Sequence, residues 1–142
     1  MRNRITQNLI APCGMNCGIC KAFLRLKNPC HGCNNAGLNK PKTRVYCRLR
    51  ICGKRRGKFC CDCAEFPCDL LRRLDHRYRT QYGMSQIENL EFIRHHGIRK
   101  FVAAERRRWT SEKGTFCVHD KKYYQEPDRR QGRGPRMIAD HP

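Results

Sequence analysis

Cys13-Gly14-Met15-Asn16-Cys17-Gly18-Ile19-Cys20, answered after nine intervening residues by Cys30-His31-Gly32-Cys33, decides how this chain is read. Cys17 and Cys20, and again Cys30 and Cys33, stand at Cys-x2-Cys spacing. Two such knuckles can close on one ion at about 2.3 Å from each sulfur, the pattern of a structural zinc site. Gly32 provides the backbone freedom that a tight turn around a ligand requires. Downstream, Cys47, Cys52, Cys60 and Cys63 form a second, looser group. Cys13 and Cys68 either replace one of these ligands or are buried thiols packing as small hydrophobes. Cys61 and Cys117 are expected to be unliganded, and His31 to point outward.

There are 12 Cys among 142 residues, and the redox compartment decides their meaning. No run of about 18 apolar residues is present. Ile5 to Pro12 is too polar and too short for the apolar part of a secretory signal. A cytoplasmic protein is expected, in which clustered thiols read as metal ligands rather than disulfides. Residues 11–68 hold few large apolar side chains, whereas zinc at thiolates supplies on the order of 10 kcal/mol per site. Two zinc ions are expected to act as the core of this half. An iron-sulfur centre is the competing assignment, because Cys13-x3-Cys17-x2-Cys20 also presents three thiolates in a compact run.

Charge is distributed as unevenly as the cysteines. Lys plus Arg number 31 against 12 Asp plus Glu, a net charge of +19. Residues 1–59 contain 14 of the basic residues and no acid; the first carboxylate is Asp62. Soluble domains usually intersperse both signs, because uncompensated charge repels itself, so a polyanionic partner is expected. No segment combines a wide apolar face with a cationic one, which argues against a membrane surface.

The local pattern predicts a short helix from about Asn16, with Ile19, Phe23 and Leu26 on one face, ended by Asn28-Pro29. A short helix or turn is expected within Val45–Cys52, and a helix starting at Pro67 and carrying Leu70, Leu71, Leu74 and Tyr78. Ser85-x-x-Glu88 has capping-box form before Ile87, Leu90 and Ile93, and Gly97 reads as a stop. A further helix runs from Ile98 to Trp109, a hairpin spans 113–124, and the Gly-, Pro- and Arg-rich residues 125–142 read as an extended arm. The fold class is therefore small, metal-stabilised α+β. Its expected parts are a cysteine-rich zinc-binding region (1–66), a helical segment packed on it (67–109), and a ribbon-like hairpin with a basic arm (110–142).

Cys13-Gly14-Met15-Asn16-Cys17-x2-Cys20, Cys30-x-Gly32-Cys33, Cys47, Cys52 and Cys60-x2-Cys63-x2-Phe66-Pro67-Cys68 resemble the cysteine-rich, zinc-binding domain of unknown function found across bacteria and archaea. The resemblance covers about residues 10–109 and implies no activity. Some members continue into a zinc ribbon opening Thr-Cys-x2-Cys-Gly. Here the chain reads Thr110-Ser111-Glu112-Lys113-Gly114, so the ribbon ligands are missing.

His95-His96 with Glu88 or Glu91, and Cys61 or Cys117, are the only groups from which an active site could be drawn. Each has a structural explanation at a helix end or in a core. No phosphate loop, dinucleotide fingerprint or catalytic triad is visible. The expected function is non-enzymatic, with no small-molecule substrate: a zinc-containing protein binding structured RNA, as a small ribosomal or ribosome-associated protein touching ribosomal RNA and neighbouring ribosomal proteins. The RNA contacts are expected from Arg44, Arg48, Arg50, Lys54, Arg55, Arg56 and Lys58, from Arg107, Arg108, Lys121 and Lys122, and from Arg129, Arg130, Arg133 and Arg136 in the arm. The alternative is an iron-sulfur or thiol redox protein.

Overall fold

A computed structural model describes residues 5–35 and 39–125 of the protein. The expected arm, with Arg129, Arg130, Arg133 and Arg136, lies outside the described residues. In the front half the chain is mostly turns. Asn16 Oδ1 accepts from the Gly18 N–H at 2.8 Å and opens a 3-10 turn over Cys17–Ile19. One helical turn, α1 (Lys21–Leu24), follows. The single helix expected from Asn16 is thus split, because the Cys20 backbone is extended and its carbonyl accepts from Phe23 and Leu24 to start α1. Helix α2 (Lys42–Val45) starts in the same way on the Pro41 carbonyl, and the turn expected near Val45–Cys52 follows it, with the Ile51 N–H donating to the Cys47 carbonyl at 3.1 Å.

Helix α3 (Asp69–Tyr82) starts two residues after Pro67 and buries Leu71, Asp75 and Tyr78. Gly83 (φ +66°) ends it in a left-handed conformation that a β-carbon disfavours. Helix α4 (Gln86–His96) opens as the capping signature predicts, with Ser85 Oγ accepting from the Glu88 N–H at 3.0 Å. Gly97 alone separates it from α5 (Ile98–Trp109). The chain then folds into a three-stranded antiparallel sheet, β1 (Thr110–Ser111), β2 (Gly114–Cys117) and β3 (Lys122–Tyr124), in that order. Thr115 pairs with both Thr110 and Tyr124. The expected hairpin is the β2–β3 part.

The core differs most from expectation. Ile5, Leu9, Ile10, Met15, Ile19, Leu49 and Phe59 from the front half share one apolar cluster with Leu71, Leu90, Ile93, Phe101, Val102 and Val118. The front half is poor in apolar residues, but its few pack against the helices and the sheet and share their interior. This cluster runs across the 66/67 boundary. Polar ties follow it: Asn16 donates to Glu105 at 3.1 Å, Arg106 donates to the Ile5 carbonyl at 2.9 Å, and the Val118 N–H donates to the Ile19 carbonyl at 3.2 Å.

Candidate nucleic-acid interface and cysteine cluster

Cys17 and Cys33, which the spacing places in one ligand set, are neighbours, whereas Cys47 of the second group faces the first. The Cys33 N–H donates to Cys17 Sγ at 3.3 Å, a contact that joins the two knuckles. The adjacent Cys17, followed by the cations Lys40, Arg44 and Arg50, pushes Cys33 below the usual thiol range. Cys13, Cys33 and Cys47 line one cavity of about 40 Å³ with Arg44, Arg50, Tyr78 and Gln86. Gln86 is fully buried, and its Oε1 has no hydrogen-bond partner among the described residues. Burial pushes the Cys13 thiol up to about 12 and Cys60 up to about 11.

Among the described residues no three Cys, His, Asp or Glu side chains converge in an arrangement that would hold a metal ion. Neither Cys17, Cys20, Cys30 and Cys33 nor Cys47, Cys52, Cys60 and Cys63, with Cys13 and Cys68 as substitutes, makes a formed cage in this geometry. Cys61 and Cys117 are buried, and His31 is exposed, as its outward position read from the sequence requires.

Beside this cluster, the backbone N–H of Lys21 donates to His119 Nδ1 at 3.2 Å. The ring proton therefore sits on Nε2 and is donated to Tyr78 Oη at 2.7 Å. Burial, and then the nearby Arg44 guanidinium, pull the imidazole down to about 4 from an ordinary 6.5. Folding favours the neutral ring, so its stabilising contribution is complete above the unfolded value and is lost as pH falls from 6.5 towards 4. Urea unfolding at about pH 7 and about pH 5 should give a lower midpoint at the acid end, and His119→Gln should flatten the difference. An unchanged wild-type midpoint would rule out the neutral, buried ring.

The basic residues divide by what they touch. Arg50 donates to the carbonyls of Arg44 and Val45 at 2.9 and 3.1 Å, and Arg55 to that of Leu49 at 2.7 Å, so both brace the loop they belong to. Arg44 is half-buried against the cysteine cavity. Lys54 faces Glu65 at 3.5 Å, Lys58 lies over the Phe59 ring, and Arg108 lies over Trp109 at 4.3 Å. Arg48, Arg56, Arg107, Lys121 and Lys122 are exposed. The sequence reading missed Arg73 and Arg77 of α3. The signal that marks them is their i,i+4 spacing next to Leu70 and Leu74, which puts all four on one side of the helix.

No curated protein and no solved structure matches the chain. A family model does match, over a span that holds eleven of the twelve cysteines and stops in α3, short of the Trp109 to which the resemblance extends. The model that matches residues 9–73 is that of the family described as protein of unknown function (DUF3795).

Proposed function

We propose that this is a non-catalytic RNA-binding protein that associates with the ribosome and carries zinc on its cysteine-rich loops. The observation that carries the RNA reading is the uncompensated charge of the front half. Residues 1–59 have 14 basic residues and no acid, and among the described residues only Lys21 and Lys54 of that segment reach a carboxylate, Asp120 and Glu65, each at 3.5 Å. A surface of this kind lowers its own repulsion by taking up phosphates and releasing their counterions. The zinc reading rests on the Cys-x2-Cys spacings and on the thiol chemistry of that donor set.

The protein should co-sediment with ribosomes at low salt and leave them as salt rises. Six to ten phosphate contacts imply a loss of about 10³- to 10⁵-fold in affinity between roughly 50 and 200 mM salt. Failure to sediment with ribosomes at low salt, or binding insensitive to salt, sinks the reading. Metal analysis of the purified protein should find zinc. Iron accompanied by visible absorbance would instead support the redox alternative, for which the close approach of Cys33 to Cys17 is the favouring observation.

A further inference from the structure

Between the loop at residues 46–49 and α3 lies an open groove of about 370 Å³, lined by Tyr46, Arg48, Arg73 and Arg77 over an apolar floor that includes Leu70 and Leu74. The Tyr46 side chain is 73% exposed, the most of any large apolar or aromatic residue described. Exposing a ring to this extent loses the burial that aromatic side chains normally gain. Arg48, Arg73 and Arg77 are exposed, and among the described residues none of their guanidinium groups makes a salt bridge or a hydrogen bond. The acids of α3 do not neutralise them: Asp69 pairs with Arg72 at 3.8 Å and Asp75 with Arg79 at 2.6 Å. The other cationic hollow, beside Lys21, Arg25 and His119, is less available, because Arg25 donates to the carbonyls of Asn28 and Asn39 and Lys21 faces Asp120.

From this arrangement we infer that the groove binds one unstacked nucleotide of single-stranded RNA, its base on the Tyr46 ring and its flanking phosphates on Arg48, Arg73 and Arg77. The inference rests on the RNA reading above and assigns it a place. The volume lies in the range of small-ligand sites, about 300–1,000 Å³. An exposed aromatic face beside free guanidinium groups is the combination by which proteins hold single strands: stacking on the base, charge on the backbone. A duplex keeps its bases stacked and would leave the Tyr46 ring unused.

The test is binding of a fluorescent single-stranded oligouridylate to the full-length protein, compared with an RNA duplex and with a DNA strand of matched length. Tyr46→Ala should weaken binding of the single-stranded RNA about 5- to 150-fold, with Tyr46→Phe close to wild type and the salt slope unchanged. The double variant Arg73→Gln/Arg77→Gln should lower the salt slope by about 1.4, two phosphate contacts at roughly 0.7 each. All these side chains are exposed, so thermal melting of each variant should match wild type and exclude unfolding as the cause. If wild type binds the single strand but neither Tyr46→Ala nor the arginine variant changes that binding, the groove is overturned while the RNA reading stands. If wild type binds neither this probe nor ribosomes at low salt, the RNA reading falls and the groove with it. Tighter binding of the DNA strand or of the duplex also overturns the assignment.

Discussion

Replacing Asp75 by Ala is expected to cost about 3–5 kcal/mol of folding stability, the largest loss for any polar side chain described. Asp75 is 4% exposed and joins α3 to α4. Its Oδ1 accepts from Ser85 Oγ at 2.5 Å and from the Ile87 N–H at 2.9 Å, and its Oδ2 from Arg79 Nε at 2.6 Å. Burial by itself would raise this carboxyl, yet the three donors outweigh it and hold the group below the ordinary carboxylate range. Truncation leaves Ser85 Oγ and the Ile87 N–H without their acceptor at the start of α4, so the helix loses the support of its cap along with the charge pair. Native domains are stable by only about 5–15 kcal/mol, so the variant should unfold at a much lower urea concentration. Glu88→Gln is the matched control. That carboxylate also faces Arg79, at 3.3 Å, but it is 71% exposed, and its loss should cost under about 1 kcal/mol. A variant at Asp75 within about 0.5 kcal/mol of wild type, the ordinary surface range, would show that the α3–α4 junction does not depend on it.

Gly14→Ala should destabilise by about 2–5 kcal/mol through two separate causes. The residue has φ +88°, where an L side chain is strained. A β-carbon there would also stand 2.8 Å from the Gln86 carbonyl oxygen and 2.8 Å from Leu90 Cγ. The carbonyl belongs to the first turn of α4 and cannot yield without moving the helix. Leu90 is fully buried, and Leu90→Ala alone should cost about 2–5 kcal/mol. Combining the two should cost less than their sum, because shortening Leu90 removes one of the two clashes. Denaturant titration of both single variants and the double variant measures that coupling. Strict additivity would mean that the close approach of Gly14 to α4 is not what makes glycine necessary there.

What could be read before folding was local. Ser85 and Glu88 announced the start of α4, Gly97 its end, Trp109 the end of α5, and the α+β class followed from helices succeeded by a hairpin pattern. These signals lie within one or two turns of the residues they govern, and the Ser85 cap forms in the folded chain, although the Glu88 carboxylate faces Arg79 instead of completing the box. The cysteine-rich span and the one-sided charge were equally plain, because composition does not depend on conformation. The fused core was not visible. Ile5 and Ile19 look stranded in a polar segment until Val118 and α5, about a hundred residues later, arrive to cover them.

The same distance separates cysteine spacing from cysteine partnership. Cys-x2-Cys counts put Cys17 and Cys33 in one ligand set, and the turn at Gly32 lays the Cys33 N–H on Cys17; they put Cys47 in another set, yet the loop around α2 brings it to the cavity of Cys13 and Cys33. Among the arginines, sequence could identify the cations but not their employment. Arg50 and Arg55 are used by their own loop, whereas Arg73 and Arg77, which looked like an ordinary solvated helix face, border Tyr46 and Arg48 across a groove. Amino-acid order therefore determined the short-range elements, the thiol content and the excess of positive charge. Which thiols meet, which cations stay free and what fills the interior were decided only by tertiary packing, because burial and charge pairing depend on spatial neighbours that the order of residues does not specify.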